Sequence, residues 1–407
     1  MPHKVSSGLL LMVLGVCLAG LSPSAQQPKR EKFGSSLDRL KWDEQKKIAV
    51  EVRKHKDAGE VAVDEEPIRI KTLLALFDIL VTDQQGRYVT GLGRDDFDVV
   101  EDGQSQELAT FSLGDNEALP RSIVLIIDYS GSQLPYLSNS LEAAKRLVDR
   151  LQPKDRMAIV TDDVSLLTDF TQDKERLKKS LDSLKKRAIS QATGRSLQYS
   201  ALLATLRELM SSEERPIIIF QTDGDELGSL RSASPDAAHA EGAVREFGLG
   251  DILDVAEKSQ TTIYAVIPGV RLIGYSAEDR LKRAKAAFEH ELDSLSRIRP
   301  MMGEFMRSSL SSMPDEYFRE RAEKRLREQL ALAGVARITG GWTEFLEDPD
   351  EAAAIYTRIL LGINRRYIIG YYPANTESGS RRRKVEITVR HHPEYKVLGR
   401  KSYIVPE

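Results

Sequence analysis

The rhythm of apolar and polar positions changes three times along the chain. Over residues 68–111 the period is two. IRIKTLLALFDILVTD predicts one or two strands and DQQGR a turn, and YVTGLGRDDFDVVEDGQSQELATFS ends in a hairpin around Asp102 and Gly103. Over residues 123–363 short apolar runs alternate with amphipathic segments. Strands are predicted at 123–127, 156–160, 166–170, 216–221 and 262–267, and in WTEFLE; helices are predicted at 138–151, 174–186, 196–210, 252–258 and 350–363. That alternation predicts an α/β fold, a doubly wound and mostly parallel sheet covered on both faces. Period two then returns in RRYIIGYYPA, RRKVEITVR and KVLGRKSYIV. Neither β-rich flank has enough strands to bury two faces. Together they are expected to form one β-sandwich-like domain built from N- and C-terminal segments.

These patterns divide the chain. Residues 67–118 and 366–407 are the two parts of the flanking β-rich domain, and 119–365 the α/β domain. Within the latter, about 272–332 is charged and helical, with RLKRAKAAFEHELDSL and FRERAEKRLREQLALAG. It is longer than one crossover needs, so it reads as an inserted excursion of surface helices broken by Pro300 and Pro314. Residues 26–66 read as a charged linker, partly helical over 36–54. Before it, His3 and Lys4 precede the apolar run GLLLMVLGVCLAGL and the small residues SPSAQQ. Residues 1–25 therefore read as a signal peptide, which predicts a secreted, periplasmic or cell-envelope protein. An uncleaved anchor is the alternative, and the one route by which the chain would meet a membrane. Cys17, the single cysteine, lies in this apolar run, so the mature chain is expected to carry no disulfide.

Composition narrows the partners. At 407 residues two or three domains are expected, and 41% hydrophobic with 30% charged residues marks a globular chain. A net charge of −3 implies no bulk electrostatic pull toward nucleic acid and 6% aromatics few stacking platforms, which argues against nucleic acid.

The chemistry gathers where strands stop. In a parallel α/β sheet, ligands bind outside the carboxyl ends of the strands. SIVLIIDYSGSQ runs from a buried strand into Asp128, Ser130 and Ser132. PIIIFQTDGDE places Asp223 after a second strand, and ATGRSLQYSALL supplies a third loop with Ser196. Carboxylates and hydroxyls without His or Cys are hard ligands, suited to Mg²⁺, Mn²⁺ or Ca²⁺. The bland alternative is a turn capped by Ser and Asp at a helix start. A metal-dependent hydrolase or phosphatase using Asp128 is a further alternative. Against it, Ser130 stands where that chemistry wants a second Asp, and none of the six histidines lies near these loops. Asp162, Asp163, Asp225 and Glu226 read as exposed loop charges. The RRRK run at 381–384 reads as solvated, and Gly340, Gly341 and Trp342 as turn and packing residues.

Taken together, IVLIIDYSGSQ, GRSLQYSAL and IIIFQTDGDELGS resemble the von Willebrand factor type A domain and its metal-ion-dependent adhesion site. That family's signature is Asp-x-Ser-x-Ser, then Thr in a second loop and Asp in a third. Asp128, Ser130 and Ser132 fit the first element and Asp223 the last. Where the family usually reads Gly-Gly-Thr, this chain has Gly194, Arg195 and Ser196, so Ser196 replaces the Thr and keeps the hydroxyl. The β-rich flanks resemble a subgroup of such proteins common in acidobacteria. The resemblance implies a non-enzymatic binding protein whose Mg²⁺ (or Mn²⁺ or Ca²⁺) is completed by an Asp or Glu side chain from a protein partner. It also leaves open a scaffold with a vestigial metal site.

Overall fold

The structure is a computed structural model. It describes residues 33–43, 48–51, 74–190, 196–210, 213, 215–230, 247–298, 300–301, 307, 313–374 and 382–405. The expected signal peptide, with Cys17, lies outside the described residues.

The apolar runs of the middle region pair side by side. Their order across the sheet is Thr343–Leu346, Thr262–Pro268, Pro216–Gln221, Ser122–Ile127, Arg156–Thr161 and Ser165–Thr171. The first five are mutually parallel and the edge strand Ser165–Thr171 is antiparallel. Ser122–Ile127 and Pro216–Gln221 are buried at every position, as strands covered on both faces must be. Alternate residues still part company. Ile123, Leu125 and Ile127 enter a core with helices Leu134–Asp149 and Ala352–Asn364. Val124 and Ile126 enter the opposite core with Gln198–Glu208, Leu249–Lys258 and Asp315–Ile338. The first helix begins at Leu134 rather than 138, because Pro135 is tolerated in an opening turn.

The start of the central strand is pinned by a buried ion pair. Arg121 and Asp155 have side chains with 0% exposure. Arg121 Nε lies 3.0 and 3.1 Å from the two Asp155 oxygens, which also accept from the backbone of Arg121 (3.1 Å) and Gln152 (2.9 Å). Arg121 Nη1 donates to Asn364.

The flanks of the chain meet as the strand count required. One four-stranded antiparallel sheet orders Lys396–Leu398, Ala75–Thr82, Tyr367–Tyr371 and Leu108–Leu113; the other orders Ser402–Ile404, Arg382–Val389, Phe97–Glu101 and Gln104–Gln106. Phe77, Ile79, Phe97, Tyr367, Ile369 and Val385 share one core between them. Gly341 sits where any Cβ would come within 1.9 Å of the Ile263 carbonyl oxygen, and Trp342 packs edge-on against Tyr264.

Three expectations need correction. Instead of a helix over 36–54, a 3₁₀ turn at Ser35–Arg39 leads into strands Leu40–Asp43 and Ile48–Glu51, which pair antiparallel. Leu40 and Trp42 alternate with Lys41 and Asp43, and the β-branched Ile48 and Val50 recur at the same spacing, and that period-two signal outweighed the charge. The RRRK run is not merely solvated: Arg382 is ion-paired with Glu257, and Arg383 is 4% exposed with Asp102 at 3.4 Å. The excursion is not merely a surface feature. Its helices are Ala277–Ile298 and Asp315–Ile338, sharing a small core of Leu281, Phe288, Leu292 and Phe318. The second helix runs past 332 and buries Leu332, Val335 and Ala336 against the sheet. Among the described residues no helix is long and apolar enough to cross a membrane.

Candidate functional site

Strands Ser122–Ile127 and Pro216–Gln221 end level, with Ile127 opposite Gln221, and the Asp128 N–H donates to the Gln221 carbonyl at 3.0 Å. Asp128 and Thr222 therefore leave the sheet side by side. Asp128 is 1% exposed, yet each of its oxygens is met by a donor. Oδ1 accepts from the Ser130 N–H at 2.9 Å. Oδ2 accepts from the Thr222 hydroxyl at 2.9 Å and from Gln198 Nε2 at 3.0 Å. Because Oδ1 holds the Ser130 backbone, the chain turns sharply, and Ser130 Oγ and Ser132 Oγ come to 3.2 Å from each other.

Asp223 is fully buried beside this pair. Burial pushes its carboxyl up, but the Arg325 guanidinium and the Ser132 hydroxyl outweigh that and hold it below the ordinary carboxylate value. Arg325 Nη1 lies 3.0 Å from Asp223 Oδ2, close enough for an ion pair but without hydrogen-bond alignment. Asp128 has no such cation: burial first, then the charge of Asp223, push it up to about 7. Asp162, buried and next to Asp128, is pushed up to about 8.

The second loop contributes through a residue the sequence did not single out. Ser196 is half-buried just before helix Gln198–Glu208, and among the described residues no hydrogen bond joins it to Asp128 or Asp223. Gln198 makes the link instead, its amide reaching Asp128 and Asp225 (2.5 Å). Gly194 and Arg195 lie outside the described residues.

Two charges read as exposed are structural. Glu226 is 3% exposed and accepts from the backbone of Tyr199 (2.5 Å) and Ser200 (3.1 Å) and from the Ser200 hydroxyl (2.6 Å). Its own N–H donates to Gln198 Oε1 at 3.1 Å, so the third loop caps the helix of the second. One signal was present in the sequence: Leu197 opens that helix and has no side-chain acceptor, so a cap had to come from elsewhere. Asp162, 4% exposed, accepts from the Tyr129 N–H at 3.2 Å and fixes the first loop from the other side. Glu226→Gln is expected to cost about 1–3 kcal/mol, because a charged acceptor of three donors becomes neutral and half donor. Thermal unfolding checks this, and an unchanged midpoint would contradict it.

The donor set suits a small hard cation. In an octahedron with metal–oxygen distances of about 2.1 Å, neighbouring oxygens lie about 3.0 Å apart. The two serine hydroxyls stand at close to that separation, with a buried carboxylate on either side. Among the described residues no group of three or more His, Cys, Asp or Glu is arranged for a metal, so an ion here would have to take most of its shell from hydroxyls and water.

Residues 123–226 match the family model of the von Willebrand factor type A domain. The matched segment holds all five candidate residues, from the strand before Asp128 to the cap at Glu226. No curated protein matches the chain. Among solved structures, the vWF domain of the type V pili tip protein Mfa5 from Porphyromonas gingivalis overlays at 14% identity and TM-score 0.35, covering 60% of this chain and 95% of that one. An aerotolerance-related membrane protein from Bacteroides fragilis gives 16% and 0.33, covering 61% and 99%. The pilus adhesin SpaC from Lactobacillus rhamnosus GG gives 9% and 0.37, covering 76% and 48%. Likenesses this low say nothing about what the chain binds.

Proposed function

We propose that this is an exported, non-enzymatic binding protein whose type A domain takes an acidic side chain of a protein partner through a divalent cation. Asp128, Ser130, Ser132, Ser196 and Asp223 would hold the ion, directly or through water, with Mg²⁺ the best match in size and Mn²⁺ or Ca²⁺ as alternatives. The observation that carries this reading is the pair of serine oxygens 3.2 Å apart, between two buried carboxylates at the carboxyl edge of the sheet. An ion held largely by neutral hydroxyls and water stays electrophilic toward an incoming carboxylate, which supplies binding rather than bond-breaking chemistry.

A scaffold reading has one observation in its favour, the Arg325 guanidinium already seated on Asp223. There a protein cation would stand permanently where the metal would be. Pull-down from the native envelope with Mg²⁺ or with chelator, using wild type and Asp128→Ala, separates the two. Capture that needs Mg²⁺ and is lost in the variant supports the cation reading; capture unchanged by chelator or by the variant contradicts it.

A further inference from the structure

Arg325 lies on helix Asp315–Ile338, far along the chain from the three loops, and its guanidinium is beside a carboxylate oxygen of the proposed cation site. The approach is held by packing. Leu332, fully buried on the same helix, presses on Gly224, where a Cβ would come within 2.9 Å of Leu332 Cδ1. Between the helical hairpin and the site is a cavity of about 160 Å³, bounded by Ser132, Asp223, Asp225, Arg325 and Glu328 among others. It has room for several waters. The hairpin thus roofs a cavity onto which Ser132 and Asp223 both face.

Arg325 also has somewhere else to go. Glu328, one turn further on, has a side chain 4% exposed and Oε2 3.7 Å from Arg325 Nη1. Its Oε1 is buried without a hydrogen-bond partner. Lys324 Nζ stands 3.8 Å from that atom, too far for a hydrogen bond. A guanidinium leaving Asp223 would therefore be received by a buried carboxylate that lacks a donor, and no buried charge would be stranded.

We propose that the outer part of the hairpin, Ala277–Ile298 with residues 315–328, is a lid on the cation site, latched by Arg325 on Asp223 and released onto Glu328, while the end of the second helix stays packed on the sheet. This rests on the cation reading above. A guanidinium and a divalent ion repel each other across one small carboxylate, so cation binding and latch closure oppose each other. Linkage makes the effect reciprocal: weakening the latch must tighten cation binding, and cation binding must loosen the hairpin.

The test is Mn²⁺ titration calorimetry on the full chain with wild type, Arg325→Gln and Arg325→Lys. Arg325→Gln is expected to bind Mn²⁺ about tenfold tighter or more, within the usual range of site-to-site coupling, while Arg325→Lys keeps the positive charge and stays near wild type. Equal affinity in wild type and Arg325→Gln overturns the latch and leaves the cation site standing. No binding by either overturns the cation reading and the latch with it. Should Arg325→Gln not fold, amide exchange on wild type decides. Saturating Mn²⁺ is expected to speed exchange over residues 315–328, and unchanged exchange in the Mn²⁺-bound protein overturns the latch.

Discussion

Replacing Asp155 with alanine is expected to destabilise the protein by about 3–5 kcal/mol, more than any other single change considered. The pair it forms with Arg121 is wholly dry, and water cannot replace the lost carboxylate. Arg121 would keep its bond to Asn364 but lose both oxygens facing Nε, and the Arg121 and Gln152 backbone donors would lose theirs. The cost arises from the charge left behind rather than from the pair's net worth, since buried ion pairs are often replaceable by apolar residues. The double variant Arg121→Met, Asp155→Ala is therefore expected to recover part of the loss. Chemical denaturation of the three variants checks both statements. A single-variant cost under about 1 kcal/mol would show that the site relaxes or hydrates in a way the dry geometry does not allow.

Asp128→Ala is expected to behave in the opposite way, leaving the fold standing while removing cation binding. The carboxylate is buried beside Asp223 and pushed up to about 7, so the folded chain gains little from holding it ionised. Its departure frees the Ser130 N–H, the Thr222 hydroxyl and one Gln198 amide proton, and Gln198 retains Asp225. A stability change within about 2 kcal/mol follows from those lost bonds. The effect on the cation is larger. Asp128 holds the turn that brings Ser130 and Ser132 together and supplies negative charge beneath them. Losing an oxygen ligand or its orienting partner typically costs about 10–100-fold in metal affinity, and here one residue serves both roles.

The sequence showed the parts of this site that belong to single loops. Asp128, Ser130 and Ser132 stand out because a fully apolar strand ends abruptly in alternating oxygens, and Asp223 because it follows a second such strand. The two-ended sandwich was legible from strand supply, as neither flank could bury its faces alone. What the sequence hid are the partners that tertiary contact selects. Gln198 and Thr222 are ordinary polar residues until the strand register sets them against Asp128. Glu226 looked like a loop charge because its role depends on a helix start elsewhere in the chain. Arg325 was one cation in a helix dense with them, and only the docking of Leu332 on Gly224 singles it out. The helix expected over 36–54 failed for a local reason, since its charge density masked the alternation at Leu40, Trp42, Ile48 and Val50.

The account turns on whether the serine pair and its two carboxylates hold a divalent ion. Titrating the full chain with Mn²⁺ and reading bound metal by electron paramagnetic resonance, in wild type and Asp128→Ala, tests this most directly. One ion bound per wild-type chain and none in Asp128→Ala is the predicted result; no ion in wild type, or equal binding by both proteins, would contradict it.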